Sequence, residues 1–219
     1  MNAAQEHFVG NISSCEEARE YLEKRQISDE TVKKYGLGYS REFNDLTKAL
    51  REKGYKDEYI VKAGLAYWSE VGKVKDFFYK RIMFPFRDNV GRVIGYSARD
   101  ITNNQMSKYK NTGETEFYHK GNELYGLYEA RTEIGKQGKV YIVEGQVDVL
   151  ALSQCGVCNV VAGSGTAFTK EARSKLARWT KDVVFIYDGD KAGVGAAMKR
   201  KRASILLLLL LLTACGKQE

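Results

Sequence analysis

Histidine is nearly absent from this chain. His7 and His119 are the only two, and with Cys15, Cys155, Cys158 and Cys215 they are the whole supply of soft metal ligands. A closed zinc site needs four such ligands, and Cys155-Gly-Val-Cys158 has ligand spacing but no second pair to complete it. No zinc is therefore expected, and these two cysteines read as packing residues at the start of a strand. So few cysteines also make no disulfide framework, which fits a reducing cytoplasm. Proline occurs once, as Pro85, in a period-two stretch where its missing donor points to an edge strand or a bulge. No apolar run is long enough to cross a bilayer: the longest, Ile205 with the seven leucines from Leu206 to Leu212, is about half a span.

What is present describes a globular protein. A hydrophobic fraction of 43% with 29% charged residues excludes a disordered chain, and 219 residues can bury one or two cores. The net charge of +7 is unevenly placed. Lys199, Arg200, Lys201, Arg202 and Lys217 against Glu219 put +4 of it in the last 21 residues, leaving +3 for everything before. Overall basicity is therefore weak support for a nucleic-acid partner, and local clustering has to carry that argument.

The most informative stretch runs from Val140 to Gly193. Two apolar runs, Val140 to Val143 and Val183 to Tyr187, each end in acid: Glu144-Gly145 after the first, Asp188-Gly189-Asp190 after the second. Their length and the helical spacing between them predict parallel strands joined by crossover helices. In such sheets the carboxyl ends of the strands share one rim, where ligands bind. Glu144, Asp188 and Asp190 are expected to converge there, and three hard oxygen ligands suit magnesium or manganese. Either motif alone also fits a plain turn. The pairing on two strands of one unit resembles the TOPRIM domain of primases, topoisomerases and some nucleases. Gly163-Ser164-Gly165-Thr166 either approaches the same rim or is a tight strand-to-helix turn.

Residues 1–13 show no periodicity and are expected to be a disordered lead-in. Ser14 with Glu17 predicts a capping box for a helix with Ala18, Tyr21, Leu22 and Arg25 on one face. Ile27-Ser28 with Val32 predicts a second helix ending at Gly36, Asn44 caps a third running to Gly54, and Asp57 to Gly64 gives a fourth. The period then changes to two. Ile82 to Phe86 and Arg92 to Tyr96 flank Asp88-Asn89-Val90-Gly91, a hairpin. Between Phe77 and Gly113 lie seven cations and two acids, interleaved with Tyr79, Phe86, Tyr96 and Tyr109. Such a set can hold phosphates and stack bases, or it can be a solvated basic face.

Four blocks make the resemblance more specific: Arg81-Ile-Met-Phe-Pro-Phe-Arg-Asp, Gly91-Arg-Val-Ile-Gly-Tyr-Ser-Ala-Arg99, Lys108-Tyr-Lys-Asn-Thr, and His119-Lys-Gly-Asn-Glu-Leu-Tyr-Gly-Leu-Tyr. In this order, leading into the Glu-Gly strand, they resemble the RNA polymerase core of bacterial DnaG-type DNA primases, over about residues 14–197. The fold implied is α/β: a mixed α+β amino-terminal lobe over residues 14–135, then a partial TOPRIM domain over 136–197 with a parallel sheet flanked by helices. The activity implied is synthesis of short RNA primers on single-stranded DNA from nucleoside triphosphates, with magnesium or manganese. By that resemblance Glu144, Asp188 and Asp190 are catalytic and metal-binding, with Asp148 as a supporting ligand. Arg81, Arg99, Lys108, Tyr109, Asn111 and Lys120 would contact the nucleotide or the template. His119 reads as an ordinary half-buried histidine.

The family's zinc module, its later acidic cluster and its helicase-binding domain have no counterpart in the sequence, so replicative helicase contact is not expected. Residues 198–219, Met-Lys-Arg-Lys-Arg followed by the leucines and Leu-Thr-Ala-Cys215, resemble a lipoprotein signal peptide placed at the wrong end, with membrane-surface adsorption as one consequence. Two other functions stay open: a catalytically inactive fragment that only binds single-stranded nucleic acid, and a TOPRIM nuclease or topoisomerase.

Overall fold

The period-two stretch does form a hairpin. In a computed structural model that describes residues 1–102, 107–163 and 168–186, β4 (Arg81–Arg87) pairs antiparallel with β5 (Val93–Asp100), and a register shift falls between Phe86 and Arg87. The turn is closed by Asp88, whose carboxylate accepts from the Val90 and Arg92 amides at 3.0 and 2.9 Å. β1 (Gly38–Ser40) and β6 (Tyr109–Asn111) complete a four-stranded sheet in the order β1-β4-β5-β6. Pro85 is thus on an inner strand, yet β1 pairs only residues 81–83 of β4. Beyond that point the β1-facing side of β4 is a local edge next to the register shift, so a missing amide costs no ladder bond.

Both faces of β4 are covered. Ile82, Phe84 and Phe86 join one core and Met83 another, which is why the strand reads as a continuous apolar run and not as an alternation. The Met83 side is closed by α1 (Asn2–Ile12), α4 (Asp45–Glu52) and α5 (Asp57–Lys62), through Phe8, Leu46, Leu50 and Ile60, with a small hairpin of β2 (Ala66–Trp68) and β3 (Val74–Asp76) at its margin. α2 (Glu16–Lys24) and α3 (Asp29–Tyr35) contribute Ala18, Leu22 and Tyr35 to the other core.

Helix α1 overturns the expected disordered lead-in. Ala4, Phe8 and Ile12 recur every four residues and are buried, a stripe that Gly10 and the polar residues between conceal. The helix lies so close to β1 that a side chain at Gly38 would come within 2.5 Å of the Phe8 Cβ. Two caps also differ from expectation. The capping box of Ser14 and Glu17 does not form: Cys15 is the N-cap, while the Ser14 hydroxyl donates to the Asn11 carbonyl at 3.1 Å and accepts from Arg41 at 2.6 Å. Asn44 precedes α4 in a left-handed conformation without a side-chain cap, and the buried Asp76 accepts from the Leu46 and Thr47 amides at 2.9 and 3.0 Å instead. Ser28 and Gly36 behave as read: the Ser28 hydroxyl accepts from the Thr31 amide, and Gly36 ends α3 at φ 65°.

The second sheet has the order β10-β8-β9-β7. β8 (Lys139–Val143) runs parallel to both β10 (Asp182–Phe185) and β9 (Val160–Gly163), as the sequence predicts, and β7 (Leu124–Tyr125) adds an antiparallel edge. α6 (Leu127–Gln137) and α8 (Lys170–Leu176) cover one face through Ala130, Ile134 and Leu176, and α7 (Gln146–Gln154) covers the other through Val149 and Leu150. β7 and most of α6 precede residue 136, so the second sheet draws on chain from ahead of the expected lobe boundary. Cys155 and Cys158 do not both pack: Cys155 caps α7 and is exposed, and Cys158 is half-buried before β9. Among the described residues no helix is long and apolar enough to cross a membrane.

If α1 is part of the core, Phe8→Ala should lower unfolding stability by about 3–5 kcal/mol. A urea titration reads this directly, and a midpoint equal to that of the unaltered protein would make α1 a mere appendage.

Candidate functional site

The Glu-Gly step turns strand into helix. Gly145 N-caps α7, and its amide donates to the Asp148 carboxylate at 2.9 Å, an acid in the first turn of the helix as backbone charge favours. A side chain at Gly145 would sit 3.2 Å from that carboxylate oxygen, so the glycine leaves room for the return contact. Glu144, between strand and glycine, is exposed on the rim. β10 leaves the sheet on the same rim: the Ile186 amide donates to the Ile142 carbonyl at 2.8 Å, extending the parallel ladder toward Glu144. Asp188 and Asp190 lie outside the described residues, as do three residues of the Gly163 to Thr166 loop. Among the described residues no three His, Cys, Asp or Glu side chains gather as a metal-binding group. The rim there supplies hard oxygen from Glu144 and Asp148, donors of the type magnesium and manganese take.

The basic stretch is less available than its composition implies. Arg81 is only 2% exposed, and its guanidinium donates to three carbonyls, those of Ala98, Ser107 and Lys108, at 3.0, 2.8 and 3.4 Å. Burial lowers its pKa from the ordinary arginine value. The sequence points to a nucleotide or template contact for Arg81; its guanidinium also holds, through the Ser107 and Lys108 carbonyls, the segment that presents Lys108. Arg87 pairs with Glu129 at 3.1 Å, Arg92 with Asp88 at 2.7 Å and Lys80 with Glu42 at 2.9 Å. Lys110 donates to the Phe77 carbonyl at 2.7 Å with its ammonium 3.7 Å from the Phe77 ring centre, and burial lowers its pKa. Phe86 and Tyr96, two of the rings read as possible base stackers, are fully buried and cannot stack on anything outside.

Arg99 is also largely buried, at 8% exposed, but among rings and not carbonyls. It lies between the rings of Tyr21 and Tyr109, 5.3 and 5.2 Å from their centres, and donates to the Tyr109 hydroxyl at 2.9 Å. Burial raises the Tyr21 pKa and the Arg99 charge opposes that rise. Tyr21 looked from sequence like one position on a helix face; nothing local marks it as the second wall for an arginine forming part of β5. Tyr109 packs on the apolar cluster that also contains Val143, the residue before Glu144, and Ile186, two residues before Asp188 in sequence. The same cluster thus joins the sheet that carries Arg99 and Tyr109 to the sheet that carries Glu144. Lys108 is exposed and Asn111 half-buried, opposite Ser97.

His119 is not half-buried. Its side chain is exposed and its Nδ1 meets Glu114 at 2.9 Å, while the Lys120 amide donates to the other oxygen of Glu114 at 2.9 Å. These contacts hold the Glu114 carboxyl below the usual range, the Lys120 amide contributing most. His119 opens on a cleft of about 400 Å³ shared with Lys170, Ser174, Lys175 and Arg178.

Comparison with known proteins matches residues 7–131 to the DNA primase catalytic core, N-terminal domain, and residues 138–209 to the Toprim domain. The DNA primase of Escherichia coli O6:H1 is 39% identical over 183 residues, 83% of this chain and 31% of that protein. The crystal structure of the RNA polymerase domain of Mycobacterium tuberculosis primase DnaG superposes with a TM-score of 0.84 at 33% identity, covering 90% of this chain and 68% of that one. A DnaG primase catalytic domain bound to single-stranded DNA gives 0.78 at 36% identity, covering 89% of this chain and 64% of that one. The chain spans about a third of the length of the full primases it matches.

The assignment of Arg81 to structure separates it from Lys108. Arg81→Met should cost about 2–3 kcal/mol by leaving carbonyls without their charged donor, whereas Lys108→Ala should leave the melting temperature unchanged. Thermal melts of the two variants side by side check both.

Proposed function

The chain belongs to the bacterial DNA primase family, and from that membership we infer that it makes short RNA primers on a single-stranded DNA template by metal-dependent nucleotidyl transfer. The observation that supports this reading is the apolar cluster of Tyr109, Val143 and Ile186, which joins the sheet carrying Arg99 and Tyr109 to the sheet that ends at Glu144. Joining phosphodiesters requires both: cations to hold a triphosphate and carboxylates to handle divalent metal.

Glu144, Asp188 and Asp190 would hold magnesium or manganese, with Asp148 fixing the turn and serving as a supporting ligand. When bound, the metal would neutralise charge on the α-phosphate and the departing pyrophosphate. The chain's own groups do the rest. Lys108, Arg99 and Lys120 supply positive charge for the triphosphate or the template phosphates, and Tyr109 and Asn111 supply a hydroxyl and an amide to orient them. A primer 3′-hydroxyl attacks the α-phosphorus, a new P–O bond forms, the bond to the bridging oxygen breaks and pyrophosphate leaves. Glu144 is the carboxylate suited to take the hydroxyl proton. In this reading the lobe expected over residues 14–135 holds nucleotide and template and the lobe expected over residues 136–197 holds metal, with α1 added to the first and β7 and most of α6 to the second.

The full chain, given an oligonucleotide template, labelled ribonucleoside triphosphates and either metal, should incorporate label. Glu144→Gln or Asp188→Ala should reduce incorporation about a hundredfold or more, and chelation with EDTA should abolish it. Salt-sensitive oligonucleotide binding without incorporation in either metal would reject polymerase activity and leave a binding role.

A further inference from the structure

Two loops at one end of the first sheet present a pair of rings that no core explains. Phe43 follows β1 and Tyr79 precedes β4; their ring centres are 3.8 Å apart with the planes tilted by 31°. Phe43 is still 47% exposed and is a member of none of the three apolar clusters. The loops are tied together by the Lys80 amide, which donates to the Arg41 carbonyl at 2.9 Å and continues the register that sets Ser40 opposite Arg81.

The backbone under the rings is unusual. Among the described residues only three non-glycine residues have positive φ, and two of them, Asn44 at 66° and Lys80 at 51°, are in these loops. Asparagine tolerates that conformation, but lysine rarely adopts it, and such residues persist where the surroundings over-determine them. The conformation at Lys80 directs the chain from Tyr79 into β4. Cations flank the pair: Lys80 meets Glu42 at 2.9 Å and Arg41 meets the Ser14 hydroxyl at 2.6 Å, both near the surface. The same sheet end continues through Arg81 to the Lys108 carbonyl, which Arg81 contacts at 3.4 Å. From β1 across β4 and β5 to β6 this edge is about 14 Å wide at the usual strand spacing.

We propose that Phe43 and Tyr79 form a base-stacking platform for the single-stranded template, with Arg41 and Lys80 on its phosphates and Lys108 at the far end of the same edge. The proposal rests on the polymerase reading and adds to it a contact outside the reacting atoms. Every base has a face that can lie on an aromatic ring, so the contact is tolerant of sequence, as a protein copying varied templates needs. The flanking cations supply the salt-dependent part of the affinity. The exposed carboxylate of Glu42 beside Lys80 is the surface counter-charge that an incoming phosphate would replace.

The test uses the full chain and an oligodeoxythymidine strand carrying one 2-aminopurine, read by anisotropy for affinity and by emission for stacking. Phe43→Leu keeps apolar volume but removes the aromatic face, and should weaken binding about tenfold and lose the quenching of 2-aminopurine. Phe43→Trp should retain both, and both variants should melt with the unaltered protein because Phe43 packs into no core. Wild-type affinity and quenching in Phe43→Leu would overturn the platform while leaving the polymerase reading intact. Failure of the unaltered chain to bind the strand at all would overturn both.

Discussion

The burial of β4 on both faces is the constraint from which the rest of the architecture follows. One side of the strand gives Met83 to the helices that carry Phe8 and Leu50; the other gives Ile82, Phe84 and Phe86 to a core shared with Val143, Val160 and Ala162 of the second sheet. Neither lobe can move far from the strand without exposing the rings of Phe84, Phe86, Tyr118 and Tyr125, which meet edge to face. The charged ends of β4 are fitted into the same junction. Arg81 at its start is satisfied by carbonyls, and Arg87 at its end meets Glu129 of α6. Burial raises the Glu129 pKa and Arg87 opposes the rise. A pair so enclosed fixes geometry more than it adds net stability, because desolvation offsets much of the attraction.

In the proposed reaction, that junction is what would bring a basic strand and an acidic rim into one site. Glu144 is placed by the parallel pairing of β8 with its neighbours, while Arg99 and Tyr109 are placed by the antiparallel pairing of β5 with β6. The two sets share no hydrogen-bond ladder. They are related through apolar packing, with Tyr109, Val143 and Ile186 in one cluster. Packing of this kind is dense and resists deformation, so it can hold charged groups in register without contributing charge of its own.

Helices and strands were largely legible because their signals are local. Ser28 and Gly36 bracket α3 through contacts within a few residues, and the apolar runs around Val140 and Val183 are too short and too β-branched for anything but buried strands. Local signals misled where a distant group took over the same task. Asn44 marks the start of α4 correctly, but Asp76 supplies the cap from β3. Ser14 and Glu17 have capping-box spacing, but Arg41 and the end of α1 claim the serine. The buried stripe of α1 is in the sequence at residues 4, 8 and 12, and its significance depends on Gly38 leaving space for it.

Sequence alone determined the family resemblance, the parallel strands and the identity of the candidate acids, since motif order and strand period are properties of the chain itself. Only the tertiary structure decided which of the clustered cations face outward. Arg81, Lys110 and Lys108 look equivalent in a list of charges, yet two are occupied by carbonyls of their own fold and one is exposed. The same holds for the rings: Phe86 and Tyr96 are core, while Phe43, outside the basic stretch, is at the surface. The physical reason is that desolvation depends on what covers a side chain. In this protein the covering groups come from strands and helices far away along the chain.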